Sequence, residues 1–455
     1  MSSDDSHAGK APDSARLAHG SIRGHLIAQT APLIVGVAAI MSVGIIDAYF
    51  IGRLGAEPLA AVSFIFPVSQ ALSSLGVGVM AGIASVVSRA LGAGQEDHAK
   101  GLANLGFLLA AGVGLALSAL LYLLRGPLFQ LMQAEGALLP LIDAYMVPFA
   151  LGFALLPAMM GINGALRAQG AARRSMAILI TMAAVNWVLD PILITGAFGF
   201  EGFGIAGAAY ATVASWLIAA AVGFALLQTS DITFAPSAIR HCSMARDTGA
   251  LARVAGPAAF SNSINPVGLA ILTAFLASAG QAAVAGFGAG GRIQSFAIVP
   301  LLGLSSSIGA IVGQNWGASQ PDRARSAVLQ AGVFCLLYGL GAAVLIALFR
   351  DQIAAFFSEE AAVREEVARY LLISVWGYAG FGLFIMGNGA LNAIDRADLA
   401  LSQSLARVAL FMVPAALFLR PLWGSTGIYT AELAANVLGG ALAVGSLWWV
   451  LVRGR

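Results

Sequence analysis

Apolar stretches of about 20 residues, the length that carries an α-helix across ~30 Å of hydrocarbon, recur along the whole chain. The first six lie at roughly 26–50, 59–87, 102–123, 138–162, 176–197 and 204–227. Six more follow at roughly 251–277, 283–312, 327–348, 367–391, 401–419 and 424–451. The longest break between runs is 228–250, where Asp231, Arg240, Arg246 and Asp247 gather. The pattern predicts an all-α polytopic membrane protein, with twelve transmembrane helices in two pseudo-symmetric six-helix lobes. The lobes are expected at 26–227 and 251–455, with 228–250 as the linker. Residues 1–25 are polar and mixed in charge, with no short apolar core leading to a cleavage site. They are expected to form a disordered cytoplasmic tail.

The two halves echo each other at one fixed shift. Asn163-Gly164-Ala165-Leu166 recurs as Asn388-Gly389-Ala390-Leu391, and Gly92-Ala93-Gly94-Gln95 as Gly317-Ala318-Ser319-Gln320. Pro32 falls on Pro257 at the same offset (257 − 32 = 225). An even number of helices per half makes the copies parallel, related by an axis along the membrane normal. Two equivalent bundles around a central cavity suit a carrier that opens alternately to each side.

Composition removes the water-soluble alternatives. Hydrophobic residues make up 59% and charged residues 10% of the chain, where a soluble domain carries about a quarter charged. With net charge +2 and no basic cluster, no nucleic-acid partner is expected. Of the 24 Lys and Arg, most, including Arg407, are assigned to the side of the N-terminus. That bias places both termini in the cytoplasm of a bacterial-type inner membrane. Cys242 and Cys335 lack metal spacing, and no disulfide is expected. No Walker loop, HExxH pair or GxSxG elbow occurs, so no enzyme and no cofactor are expected. Gly286-Phe287-Gly288-Ala289-Gly290-Gly291 matches a dinucleotide-binding pattern, but no strand precedes it, so it reads as helix packing.

The informative residues are polar side chains inside apolar runs. Asp190 lies about 15 residues past Ser175, roughly 22 Å along its helix. A carboxylate at that depth costs ~2.5–3.5 kcal/mol on insertion scales, so it points to a wet, working position. Asn186 is one turn earlier on the same face. Asn163 and Thr212, from the flanking helices, are expected to complete the cluster. Asp47 lies nearer the outer surface, beside Arg53, and Glu432 is a second-lobe candidate. Tyr210, Trp187, Met159, Met160 and Phe153 are candidate wall residues for flat hydrophobic cations. Arg292 is the one arginine expected well inside a span.

These motifs resemble the multidrug and toxic compound extrusion (MATE) family, in its DinF-like branch. The resemblance is carried by Asp47-Ala48-Tyr49-Phe50-Ile51-Gly52-Arg53-Leu54-Gly55, by Gly164-Ala165-Leu166-Arg167-Ala168-Gln169-Gly170, by Asn186-Trp187-Val188-Leu189-Asp190-Pro191, and by Gly204-Ile205-Ala206-Gly207-Ala208-Ala209-Tyr210-Ala211-Thr212. It implies export of organic cations and other toxic small molecules against inward flow of H+ or Na+. It assigns ion coupling to Asp47, Asn186, Asp190, Asn163 and Thr212, and a bend of the first helix to Pro32. If Na+ is the coupling ion, Asp190, Asn186 and Asn163 are its ligands. Val43 stands where some members carry a tyrosine, and the acidic residues of another branch in helices seven and ten are missing. A lipid or glycolipid flippase of the same superfamily is the rival class. One copy, with its internal pseudo-twofold, suffices as a monomer in the bilayer.

Overall fold

The computed structural model describes residues 13–134, 136–197 and 199–453. In the first half, α1 (Ile22–Gly52), α2 (Ala56–Gly92) and α3 (Glu96–Leu131) are followed by α4 (Leu139–Gly152) and α5 (Leu155–Ala168). Then come α6 (Ala172–Asp190), prolonged by a π-helical turn at Pro191–Thr195, and α7 (Ile205–Gln228). The second half comprises α8 (Met244–Ala277), α9 (Gln281–Ala297), α10 (Val299–Gly317), α11 (Pro321–Leu348), the short α12 (Arg350–Phe357), α13 (Ala361–Ser374) and α14 (Tyr378–Ala393). It ends with α15 (Ala397–Leu405), a π-helical stretch at Ala406–Met412, α16 (Val413–Trp423) and α17 (Ser425–Arg453). Ten of these rods are long and apolar enough to cross a membrane, and the pairs α4–α5 and α9–α10, each bent by 45°, add one crossing apiece. Twelve spans result. Several exceed their apolar runs, as α3 does, because hydropathy marks the hydrocarbon slab while the helix continues into the interface.

The repeat in sequence is a repeat in packing. A Cβ on Gly92 would lie 2.0 Å from the Gln314 carbonyl oxygen, and one on Gly317 would lie 2.1 Å from that of Arg89. These are the same contact made twice, since 314 − 89 and 317 − 92 are both 225. Likewise Gly78 abuts Ala259 while Gly303 abuts Ile34, so the α2–α8 and α1–α10 crossings mirror each other. Where α2 and α8 meet through Gly82 and Ala255, the mirrored position on α1 and α10 carries a hydrogen bond between Thr30 Oγ1 and Ser307 Oγ, 2.8 Å apart. Close backbone approach at glycine is how helices associate where lipid offers no hydrophobic drive. Gly286 and Gly290 serve the same purpose: a Cβ on Gly290 would meet the Tyr370 ring at 2.0 Å. The dinucleotide-like motif is a packing face.

The expectation of a disordered tail is corrected over residues 13–25. Residues 1–12 lie outside the described residues, but Asp13–Ala18 form a 3-10 helix and Ser21 caps α1. Leu17 is only 1% exposed. Its N–H donates to Gln314 Oε1 at 2.9 Å and its carbonyl accepts from Asn315 Nδ2 at 3.0 Å. Gln314 Nε2 donates in turn to the Ala168 carbonyl at 2.6 Å, while the Leu17 side chain packs over Gly170. The segment is a wedge between the lobes. A short, mostly polar stretch gives no hydropathy signal, and burial of one leucine with paired backbone groups is enough to order it.

The linker side is where the lobes are tied. Ser85 and Arg89 donate to the Asn392 and Ala393 carbonyls, and Arg89 pairs with Asp395. Among the described residues, every side-chain hydrogen bond between the halves lies toward this end of the molecule, and none toward the other.

Candidate functional site

Asp47 and Asp190, 143 residues apart (190 − 47), meet between α1 and α6. The two carboxyl groups interact with each other, and Asp47 also interacts with Asn186. Helix α1 reaches α6 closely because Gly36 offers no side chain: a Cβ there would stand 2.9 Å from Leu179 Cδ1. Asp190 is fully buried and Asn186 nearly so, while Asp47 is half-buried. Asp190 is the last residue of the regular helix before the π-helical turn. Such turns shift side-chain register and recur at functional sites.

The site is under-partnered. Asp47 Oδ1, both Asp190 oxygens and both polar atoms of Asn186 have no hydrogen-bond partner of ordinary length. No described ion pair includes Asp47, Asp190 or Arg53. A buried polar group without a partner costs about 1–3 kcal/mol. Two adjacent carboxylates away from water are not both charged unless a cation joins them. The oxygen-rich donor set suits a proton or a hard monovalent cation.

The other expected members divide. Thr212 on α7 lies within hydrogen-bonding reach of the Tyr145 hydroxyl, which is close enough to feel both carboxylates. Tyr145, on α4, escaped the sequence reading because an aromatic in an apolar run looks like packing; it also stacks on Phe149 at 5.7 Å. Asn163 does not join the cluster. Its Oδ1 accepts from Arg167 Nε at 2.7 Å and Ser175 Oγ at 2.8 Å, and Ser175 is about 22 Å along α6 from Asp190. Its repeat partner Asn388 binds Gln403 and Ser404 of α15 in the same way. Both asparagines clasp helical hairpins.

Among the proposed wall residues, Phe153 and Met159 are fully buried in the first lobe's core, Phe153 against Phe149 and Trp216. Both are core residues in this conformation. Met160 is half-buried against Gly76. Trp187 and Tyr210 are exposed, with Tyr210 edge-on to Phe203 at 5.4 Å. Pro32 lies inside an α1 that runs through it without interruption.

The second lobe holds a different arrangement. Glu432 is fully buried, with Oε1 accepting from Gln294 Nε2 at 3.1 Å. Arg407, expected at the inner surface, is instead 2% exposed within the eleventh span. It donates to Asn265 Oδ1 at 2.9 Å and to Asn436 Oδ1 at 2.6 Å, and its guanidinium lies over Phe381 and Phe384. Arg292, the arginine expected deep in a span, is exposed. The span begins with α15 at Ala397, so Arg407 stands ten residues inside it (407 − 397), within the π-helical stretch. The lobes thus differ: a bare carboxylate pair in one, and a guanidinium together with a carboxyl group, Glu432, in the other.

The MatE family profile matches residues 32–192 and 257–418. The two matches begin 225 residues apart (257 − 32), the shift of the internal repeat. The chain belongs to the MATE family. A Shewanella oneidensis protein named FAD transporter is 36% identical over 415 residues, covering 91% of this chain and 92% of its own. The Staphylococcus aureus multidrug export protein MepA is 25% identical over 427 residues, covering 90% and 89%. A crystal structure of a variant of the Vibrio cholerae MATE transporter VcmN superposes with TM-score 0.90 at 28% identity, over 97% of this chain and 98% of that one. The family's members are multi-pass membrane transport proteins, and this chain is one of them.

Proposed function

We propose that the chain is a secondary active antiporter that exports amphipathic, mostly cationic organic compounds in exchange for H+, with the proton taken at Asp47, Asn186 and Asp190. The observation that carries this reading is the bare carboxylate pair, whose atoms lack partners that a structural network would supply. Both termini are assigned to the cytoplasm, so the tied linker end is the inner gate and the arrangement is outward-facing. Protonation from outside removes the charge that holds a cationic substrate and favours its release. The proton also replaces the cation as the bridge between Asp47 and Asp190, so α1 and α6 can close, with Pro32 as the place where α1 lacks a backbone hydrogen bond and bends. Each inward proton supplies ~2.3 kcal/mol per 100 mV of membrane potential. Na+ coupling would use the same oxygen atoms of Asp190 and Asn186. Asn163, clasped to Arg167 and Ser175, takes no part in either scheme.

A second substrate reading rests on the relative named FAD transporter. FAD is a large dianion with a flat ring system, and this reading rests on that relative alone, since Arg407 and Glu432 place both a cation and a carboxyl group in the second lobe.

The test is efflux from everted vesicles under an imposed pH gradient or an imposed Na+ gradient, with a cationic dye and with FAD. We expect pH-driven dye export that Asp190→Asn abolishes while the protein remains folded. Normal export by that variant overturns the coupling scheme, dependence on Na+ reassigns the ion, and export of FAD alone reassigns the substrate.

A further inference from the structure

The linker between the lobes is strapped to one face of α3. Asn104 Nδ2 donates to the Thr233 carbonyl at 3.2 Å, and Asn104 Oδ1 accepts from the Ala235 N–H at 2.9 Å. One turn back, a Cβ on Gly101 would stand 2.7 Å from Cys242 Sγ and 2.8 Å from the Ala238 carbonyl. One turn further back lies His98. Positions 98, 101 and 104 share a helical face, so the strap touches every turn, and its last residues deliver a thiol to an imidazole. Asp247, in the first turn of α8 and 5% exposed, completes the group. His98 Nε2 lies 3.1 Å from Asp247 Oδ2, and the three ligand atoms all lie within 4.8 Å of one another.

We propose that His98, Cys242 and Asp247 form a binding site for a zinc-class divalent metal ion that staples the linker to both lobes. A nitrogen, a sulfur and an oxygen ligand make a borderline-soft set that suits zinc, whereas Mg2+ and Ca2+ take oxygen ligands. The ligands are oriented from behind, as in known zinc sites. His98 Nδ1 lies 3.3 Å from Gln95 Oε1, which leaves Nε2 turned toward the site. Asp247 Oδ2 is held by the Ser243 N–H at 2.8 Å. An open surface pocket of about 500 Å³, lined in part by His98, gives an entry path and room for a water as fourth ligand. His98 belongs to the first lobe and Asp247 to the second, so the bound ion ties three segments at the closed end. Rocking of the lobes must strain that tie, so metal occupancy slows transport. This consequence rests on the proposed antiport, but the binding does not.

The experiment is calorimetric titration of the purified full-length protein with zinc chloride, with magnesium chloride as control. We expect one saturable zinc site, no magnesium binding, and at least about tenfold weaker zinc binding in both Cys242→Ser and His98→Asn. Zinc-edge X-ray absorption should show one sulfur neighbour at ~2.3 Å. In the unaltered protein, zinc should shield Cys242 from maleimide, a readout that needs no variant to fold. Absence of saturable binding, equal affinity in the variants, or unshielded Cys242 overturns the site. In transport, zinc should slow efflux by the unaltered protein and spare Cys242→Ser; inhibition of both would overturn the regulatory role.

Discussion

Replacing Gln314 by alanine should unlock the linker end of the molecule. The side chain is buried, accepts from the Leu17 N–H and donates to the Ala168 carbonyl, so it joins the N-terminal wedge, the second lobe and the first. Its removal leaves the Leu17 N–H and the Ala168 carbonyl unpartnered, at about 1–3 kcal/mol apiece where water does not reach them. The total is about 2–6 kcal/mol, falling on the linker-closed conformation alone because these partners separate when that end opens. At 1.4 kcal/mol per factor of ten, the balance should move roughly 30- to 20,000-fold toward the open state. Spin labels at Gln95 and Asp398, exposed positions of the two lobes at this end, report the change by pulsed electron resonance. We expect a longer-distance population to appear or grow in Gln314→Ala. An unchanged distance distribution in a variant that melts like the parent would refute the wedge as a latch.

Three further outcomes follow from the packing and the site. Gly317→Ala places a methyl 2.1 Å from the Arg89 carbonyl oxygen and should cost about 1–3 kcal/mol by overpacking, seen as a lower melting temperature in detergent; a neutral result would mean that the crossing yields freely. Asn163→Ala should lower stability by about 1–3 kcal/mol through the stranded Arg167 and Ser175 groups while leaving the choice of coupling ion unchanged, measured by melting and by ion-dependent efflux. Cys242, pushed up to about 11 by burial and by the Asp247 carboxylate, is a neutral thiol at pH 7. Its maleimide labelling rate should therefore climb about tenfold per pH unit up to that value, because the thiolate is the nucleophile; a plateau below pH 9 would contradict it.

Some of this was readable without coordinates because the bilayer imposes it. A helix must be about 20 residues long and apolar to cross, so the twelve spans and the repeat stand in the letters, and the family follows from motifs along them. Asp190 and Asn186 were legible as a pair because they sit four residues apart on one helix, where the helical period alone dictates a shared face.

Contacts between helices were not legible. Whether Asn163 meets Asp190 or Ser175 depends on the level at which two helices pass, and periodicity carries no information about level. Arg407 reads as a surface charge because it stands near the start of an apolar run, whereas the span begins ten residues earlier at Ala397 and sets the guanidinium over Phe381 and Phe384. Leu17 was invisible because its burial comes from two lobes closing over a short polar segment, with no hydrophobic run of its own. The sequence by itself determined the spans, the twofold repeat and the presence of intramembrane carboxylates, since each is set within one helix by solvent and period. The tertiary structure alone decided that Asp47 joins Asp190, that Asn163 stays apart and that the linker end is latched, since these depend on how separately folded helices tilt, bend and align.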